Sequence, residues 1–154
     1  MVNAIKVTIE GERLDILCEQ AGRYDQYMVK NRYQDITPKL YFTIIKKKTA
    51  ELIKAACMAG AISAKASKSY RTAIANYGEK IGLAFQVIDD FLDIFGEKTG
   101  KQKGKDIIEH KFNNAAIVYA LSDMDKKQRI RFVKILQKKV VLPHPLNLIL
   151  TRFF

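Results

Sequence analysis

The pattern of apolar and polar positions predicts an all-α protein. Apolar residues recur at intervals of three and four along residues 50–66 and 69–95, and neither segment contains proline, which is typical of helices. Gly60 is a possible break in the first of them. The second half of 69–95 is apolar on almost every side, so we expect this helix in the middle of a bundle. No alternating strand pattern extends beyond residues 6–9.

The other segments are shorter. Residues 12–29 can be helical, and Pro38 fits the first turn of a helix. Residues 115–121 and 126–138 predict two further helices. Residues 96–105 consist mainly of glycine, lysine and other polar residues, which indicates an exposed loop.

The length and the two ends suggest one domain with a separate tail. A chain of 154 residues with 48% hydrophobic content is enough for one core. We predict a helical domain over residues 1–139 and a tail over 140–154, because the tail contains two prolines and no helical stripe. No run of about 18 apolar residues predicts a membrane span, and we expect a soluble, cytoplasmic protein. Its two cysteines have no zinc-ligand spacing and are expected to be reduced.

The net charge indicates that the protein attracts polyanions, but it does not identify which kind. The chain carries 27 Lys+Arg against 16 Asp+Glu, a net charge of +11. Nucleic acids, anionic headgroups and diphosphates all fit this balance. Because the basic residues are scattered through the chain, charge alone does not identify the partner.

Three carboxylates within an apolar helix are the strongest chemical feature. Asp89, Asp90 and Asp93 have helical spacings of three and four, so we expect them to converge on one face together with Gln86. Carboxylates so placed repel one another unless a cation compensates them, and hard oxygen ligands suit Mg²⁺. Because Mg²⁺ usually keeps waters and phosphate oxygens as its other ligands, a phosphate-bearing substrate is implied.

A basic glycine loop follows that helix. Lys101, Lys103 and Lys105 lie among Gly100 and Gly104. Such a loop is more often just solvated, but beside the carboxylates it favours contact with a diphosphate, because glycines allow close approach and ammonium groups neutralise charge.

These motifs resemble one family in their order along the chain. Residues 85–93, FQVIDDFLD, resemble the FQxxDDxxD second aspartate-rich motif of trans-isoprenyl diphosphate synthases, or polyprenyl synthetases. Residues 48–49 resemble the family's KT pair, 100–106 its GKxxGxD segment and 109–111 its ExK segment. Residues 10–15 are a weaker match to its EGQxLD helix.

The resemblance implies a fold and a reaction. The fold would be a partial isoprenoid-synthase helical bundle, and the reaction would condense an allylic diphosphate with isopentenyl diphosphate. Mg²⁺ would be the cofactor, bound by Asp89 and Asp93 with Asp90 in support.

The resemblance also implies the substrate contacts. Lys48, Lys101 and Lys111 would contact diphosphate oxygens. Thr49 and Gln86 would line the wall near the reacting carbons, where neutral dipoles stabilise developing positive charge.

The family's first aspartate-rich motif has no match in this sequence, which leaves alternatives open. No second DDxxD motif occurs in it, so we expect the C-terminal half of a synthase, as a truncated form or a fragment, whose activity alone and product length stay open. Uncovered bundle surfaces would favour a homo-oligomer or a complementing synthase subunit. One alternative is a non-catalytic helical subunit of a complete synthase. A remote alternative is a basic nucleic-acid-binding protein, but no reading motif supports it, and we expect no nucleic-acid partner.

Overall fold

Helices form along most of the chain. The computed structural model describes residues 1–20, 23–97 and 104–137. Across these ranges it contains no β-strand, only an isolated bridge between Glu19 and Lys111, which confirms the all-α prediction. The elements are α1 (Val2–Ile16), α2 (Gln26–Asn31), α3 (Pro38–Ile45), a π-helical segment (Lys46–Ala50), α4 (Glu51–Ser63), α5 (Lys68–Phe95), α6 (Lys105–Ile108), α7 (Ala115–Asp123) and α8 (Lys126–Gln137).

Side-chain caps fix where several of these helices begin. The hydroxyl of Thr37 accepts a hydrogen bond from the backbone N–H of Leu40, and Pro38 lies in the first turn of α3, as predicted. Asp125 and Gln128 exchange side-chain and backbone hydrogen bonds at the start of α8. Such caps satisfy N–H groups that have no partner within the helix.

Two predictions for the first half of the chain are wrong. Residues 12–29 do not form one helix, because α1 ends at Ile16 and α2 begins only after Asp25, whose carboxylate caps it. Between them the backbone of Glu19 pairs with Lys111 instead, so a tertiary contact outweighs local helix propensity. Gly60 causes no break in α4; it lies on an open surface of the helix.

Close helix contacts depend on two small residues of α5. A Cβ atom on Gly78 would lie 2.7 Å from the Sγ of Cys57 on α4. A Cβ atom on Gly82 would lie 2.5 Å from the Cα of Ala50, in the π-helical segment. Helix α5 therefore approaches both neighbours at backbone distance, which fixes the π-helical segment against its middle.

Helix α5 is only half covered by the described residues, contrary to the prediction that it lies in the middle of a bundle. One side, with Ala75, Asp90 and Ile94, is buried. The opposite side carries a row of apolar side chains, each between 36% and 62% exposed. We call this row the α5 stripe; it comprises Ile74, Tyr77, Ile81, Phe85, Ile88, Leu92 and Phe95. The reason is that the other described helices pack on one side of α5 alone.

The core lies beneath the C-terminal half of α5, where α1, α3 and α7 meet. Tyr41, Ile44 and Ile45 of α3 and Val118 of α7 are completely buried there. None of the described helices is long and apolar enough to cross a membrane. The tail predicted at 140–154 lies outside the described residues, and the boundary at residue 139 stays a prediction.

Candidate active site

The π-helical segment presents Lys48 and Thr49 beside α5. A π-turn is rare and is found frequently at functional sites. The segment is held from two sides, because Gly82 of α5 and Gly11 of α1 both approach its backbone. A Cβ atom on Gly11 would lie 2.3 Å from the backbone N of Lys48. These contacts fix the position of both side chains.

Thr49 and Gln86 form a hydrogen-bonded pair between the π-helical segment and α5. The Thr49 hydroxyl lies 2.7 Å from the Gln86 Oε1. On its other side, the Gln86 Nε2 donates to the Oδ1 of Asp90 at 2.8 Å. The two residues that the sequence assigns to the wall are thus in direct contact.

Asp90 points into the core. Only 4% of it is exposed, and its Oδ2 accepts hydrogen bonds from the Tyr41 hydroxyl at 2.7 Å and from the Ala115 backbone N–H at 3.0 Å. Burial raises the pKa of Asp90 to about 6, although the hydrogen bonds from Tyr41, Gln86 and Ala115 oppose that rise. The carboxylate therefore lies behind the surface of the site, where it accepts three hydrogen bonds.

Asp93 is tied to the start of α6 instead of to the core. Its two carboxylate oxygens accept hydrogen bonds from the backbone N–H groups of Lys105 at 3.2 Å and of Asp106 at 3.1 Å. Burial raises the pKa of Asp93; the Asp106 N–H lowers it, and the charges of Asp106 and Asp89 raise it again. Asp93 therefore lies close enough to two other carboxylates to be repelled by them.

The three carboxylates do not converge as expected. Residues 1–20, 23–97 and 104–137 contain no group of three His, Cys, Asp or Glu side chains that could hold a metal ion. Asp90 is hydrogen-bonded into the core, whereas Asp89 and Asp93 stand one turn apart on the same helix face. Two carboxylates are enough for Mg²⁺, which commonly takes one or two protein carboxylates and completes its shell with water and phosphate oxygens. The repulsion at Asp93 is what a bound cation would relieve, so the donor set fits the ion.

Lys48 is held by an ion pair across the site. Its ammonium lies 3.0 Å from the Oδ2 of Asp15 near the end of α1, and both side chains are mostly buried, at 14% and 11% exposed. The other carboxylate oxygen of Asp15 accepts a hydrogen bond from the Asn113 side chain at 2.7 Å. This places one ammonium group at a defined point beside Thr49.

Of the other two lysines predicted to bind diphosphate, only Lys111 lies within the described residues. Lys111 lies 2.7 Å from the carboxylate of Glu109. Burial lowers the pKa of Lys111, but the hydrogen bond to Glu109 and the charges of Glu109, Asp106 and Asp15 raise it overall. Lys101 lies outside the described residues.

Sequence reasoning missed the buried partners of the site. Tyr41, Asn113 and Asn114 were assigned no role, and Asp15 was only part of a weak motif. Asn114 donates to the backbone carbonyl of Asp90 at 2.9 Å and to the Asp106 carboxylate at 3.0 Å. The adjacent asparagines between two apolar residues were the available signal, because buried amides need hydrogen-bond partners.

Comparison with known proteins gives relatives for almost the whole chain. The sequence model of the polyprenyl synthetase family matches residues 1–144. A short chain isoprenyl diphosphate synthase of Methanothermobacter thermautotrophicus is 44% identical over 104 residues, which are 66% of this chain and 32% of that protein. Heptaprenyl diphosphate synthase component 2 of Geobacillus stearothermophilus is 35% identical over 108 residues, 68% of this chain and 33% of that protein. The chain thus spans about a third of the length of these curated relatives.

Solved structures agree in fold. A decaprenyl diphosphate synthase from Rhodobacter capsulatus superposes with a TM-score of 0.77 at 28% identity, over 99% of this chain and 43% of that one. A geranylgeranyl pyrophosphate synthetase from Pyrococcus horikoshii gives 0.71 at 29% identity, over 87% of this chain and 38% of that one. Together with the family match over residues 1–144, they show that the chain belongs to the polyprenyl synthetase family.

Proposed function

We propose that this chain forms the allylic-diphosphate half of a trans-prenyltransferase site that condenses an allylic diphosphate with isopentenyl diphosphate. The observation that carries the proposal is the arrangement on α5, where Gln86, bonded to Thr49, precedes Asp89 and Asp93 by one and two turns on one helix face. A neutral polar wall and an anionic metal face thus stand side by side. An ionising diphosphate ester needs that combination.

Different residues act at the two ends of the allylic substrate, the diphosphate and the reacting carbons. Lys48, Lys101 and Lys111 bind diphosphate oxygens and neutralise their charge. Bound at Asp89 and Asp93, Mg²⁺ supplies further charge neutralisation to the diphosphate as it leaves.

At the carbon end, the allylic C–O bond breaks and the diphosphate leaves with the electron pair. The terminal alkene carbon of isopentenyl diphosphate then attacks, a C–C bond forms and a proton is lost. Thr49 and Gln86 direct neutral dipoles at the developing positive charge, and such dipoles stabilise it without capturing it.

Binding of a non-hydrolysable allylic diphosphate analogue tests this proposal. Calorimetry with and without Mg²⁺ should show metal-dependent binding that Asp89→Ala weakens about tenfold or more. Asp123→Ala, an exposed aspartate at the end of α7, is the matched control and should bind as the unchanged chain does. Binding that ignores Mg²⁺ and Asp89→Ala would refute the proposal; salt-sensitive DNA binding insensitive to Asp89→Ala would favour the nucleic-acid alternative.

A second candidate, a helical subunit that completes or regulates a larger synthase, is favoured by the α5 stripe. An exposed apolar row of this length along one helix is typical of a surface that another helix covers. It runs directly beside Asp89, so a covering helix would border the metal face. The relative from Geobacillus stearothermophilus bears the name of one component of a synthase.

Light scattering separates the two candidates when combined with turnover. We expect the purified chain to self-associate through the α5 stripe, and Ile81→Lys to reduce that association. Ile130→Lys, at a similarly exposed isoleucine of α8, is the matched control and should not. Pyrophosphate release by the chain alone would favour the enzyme; release only after addition of a full-length synthase would favour the subunit.

A further inference from the structure

Asp90 belongs to a hydrogen-bonded chain that runs from the core to the surface of the site. Tyr41 of α3, completely buried, donates to its Oδ2, and the first backbone N–H of α7 donates to the same atom. Its Oδ1 accepts from Gln86, and the Gln86 Oε1 accepts from Thr49. Residues of α3, the π-helical segment, α5 and α7 thus meet in one network.

Every hydrogen bond in this network is directed toward Asp90. Gln86 turns its NH₂ group toward the Oδ1 of Asp90 and its carbonyl oxygen toward Thr49. The amide oxygen cannot donate, so the Thr49 hydroxyl must give its hydrogen to Gln86. The lone pairs of Thr49 are then left to face away from Gln86, toward the site.

We propose that Tyr41 and Asp90 are positioning residues, which orient the Gln86 amide and thereby present the Thr49 hydroxyl to the allylic carbons as an acceptor, while the other two aspartates of the motif, Asp89 and Asp93, are the ones that bind Mg²⁺. The inference rests on the proposed function for the identity of the ligand. Two adjacent aspartates of one motif thus have different roles: Asp89 binds the metal ion, and Asp90 orients Gln86.

Isosteric amides at the two aspartates test this division. In Asp90→Asn, an amide oxygen can keep the bonds from Tyr41 and Ala115, so the NH₂ group takes the place of Oδ1 and must donate to Gln86. Gln86 then reverses and donates to Thr49, whose hydroxyl hydrogen is released toward the site. Asp89→Asn is the matched control, because it removes a metal ligand and leaves the network intact.

The first readout is the side-chain amide signal of Gln86 in ¹⁵N NMR, assigned by its loss in Gln86→Leu. We expect Asp90→Asn to shift this signal and to keep Mg²⁺-dependent binding of the allylic diphosphate analogue. We expect Asp89→Asn to leave the Gln86 signal unchanged and to weaken the Mg²⁺-dependent binding of the analogue. An unchanged Gln86 signal in Asp90→Asn, or loss of Mg²⁺ dependence equal to that in Asp89→Asn, would overturn the inference.

The second readout responds to the direction of the Thr49 hydroxyl and also to the loss of the carboxylate at position 90. An allylic diphosphate analogue with an ammonium at the reacting carbon is compared with its neutral carbon isostere. Because a hydrogen bond to a charged group contributes about 1.5–3 kcal/mol, Asp90→Asn should reduce the preference for the ammonium about tenfold or more. An unchanged preference would show that Asp90 does not orient Thr49.

Two further outcomes remain distinguishable. If the unchanged chain binds neither analogue, the proposed function fails, and the Gln86 signal still decides whether Asp90 orients the amide. If Asp90→Asn does not fold, Tyr41→Phe removes one of the donors without changing a charge. The same Gln86 signal should then shift by a smaller amount, and no shift would overturn the inference.

Discussion

The ammonium of Lys48 lies 3.0 Å from the carboxylate of Asp15 and is mostly buried with it. This pair joins the end of α1 to the π-helical segment. A diphosphate that contacts Lys48 must therefore share it with an existing counter-ion, so the lysine contributes a fixed position more than a free charge.

We predict that Asp15→Asn lowers the free energy of unfolding by about 3 kcal/mol, because it leaves a mostly buried ammonium without its counter-ion. Glu10→Gln is the control, since the Glu10–Arg13 pair is 40% and 46% exposed, so solvent screens it and its loss should change the stability much less. Urea denaturation measures both. Equal losses in the two variants would show that burial of Lys48 has no energetic consequence.

Replacement of Gly82 by alanine should cost about 2 kcal/mol, because the new Cβ would lie 2.5 Å from the Cα of Ala50. The matched control is Gly60→Ala, where the new Cβ meets nothing within 4 Å. There, alanine should stabilise the helix by about 0.8 kcal/mol. Thermal melting should thus shift in opposite directions for the two substitutions, and shifts of the same sign would contradict the close contact of α5 with the π-helical segment.

The stability should also depend on pH through Glu79. Hydrogen bonds from Lys46 and Lys54 lower the pKa of Glu79 to about 2 from its ordinary value of 4.5. Because the unfolded chain takes up this proton first as the pH falls, the stabilisation is present at neutral pH and disappears between about pH 5 and about pH 2. Denaturation across this range should show Glu79→Gln less stable at pH 7 and equal to the parent near pH 2; a gap independent of pH would exclude this linkage.

The two thiols should differ in reactivity. Cys18 is completely buried, and burial raises its pKa to about 12, whereas Cys57 is partly exposed on α4. Since the thiolate is the reactive form, we predict that a disulfide reagent titrates one thiol in the native chain and both in denaturant. Cys57→Ser should leave no thiol that reacts before unfolding, and a fast reaction in that variant would contradict the burial of Cys18.

The sequence predicts the helices well where local signals are strong. Residues 69–95 carry an uninterrupted helical period, and α5 has almost those bounds. The break between α1 and α2 was missed because it depends on contact between Glu19 and Lys111, which are far apart in the chain. Local periodicity contains no information about such a pairing.

In the candidate site, too, local spacing predicts some features, and tertiary contacts decide the others. Spacing predicted that Asp89, Asp90 and Asp93 share one face with Gln86. It could not show that Asp90 turns inward, because spacing gives the face of a helix but not the side on which the rest of the chain packs. That direction is decided by Tyr41 and the start of α7, which approach only after the chain has folded.

The π-helical segment also has a consequence for insertions and deletions. A π-turn contains one residue more than an α-turn, so loss of a single residue between Lys46 and Ala50 could restore regular α-helix from α3 into α4. Each residue of an α-helix turns the chain by about 100°, and Thr49 would no longer meet Gln86. A frame-preserving loss of one codon there would keep the helical architecture yet separate the two halves of the polar wall.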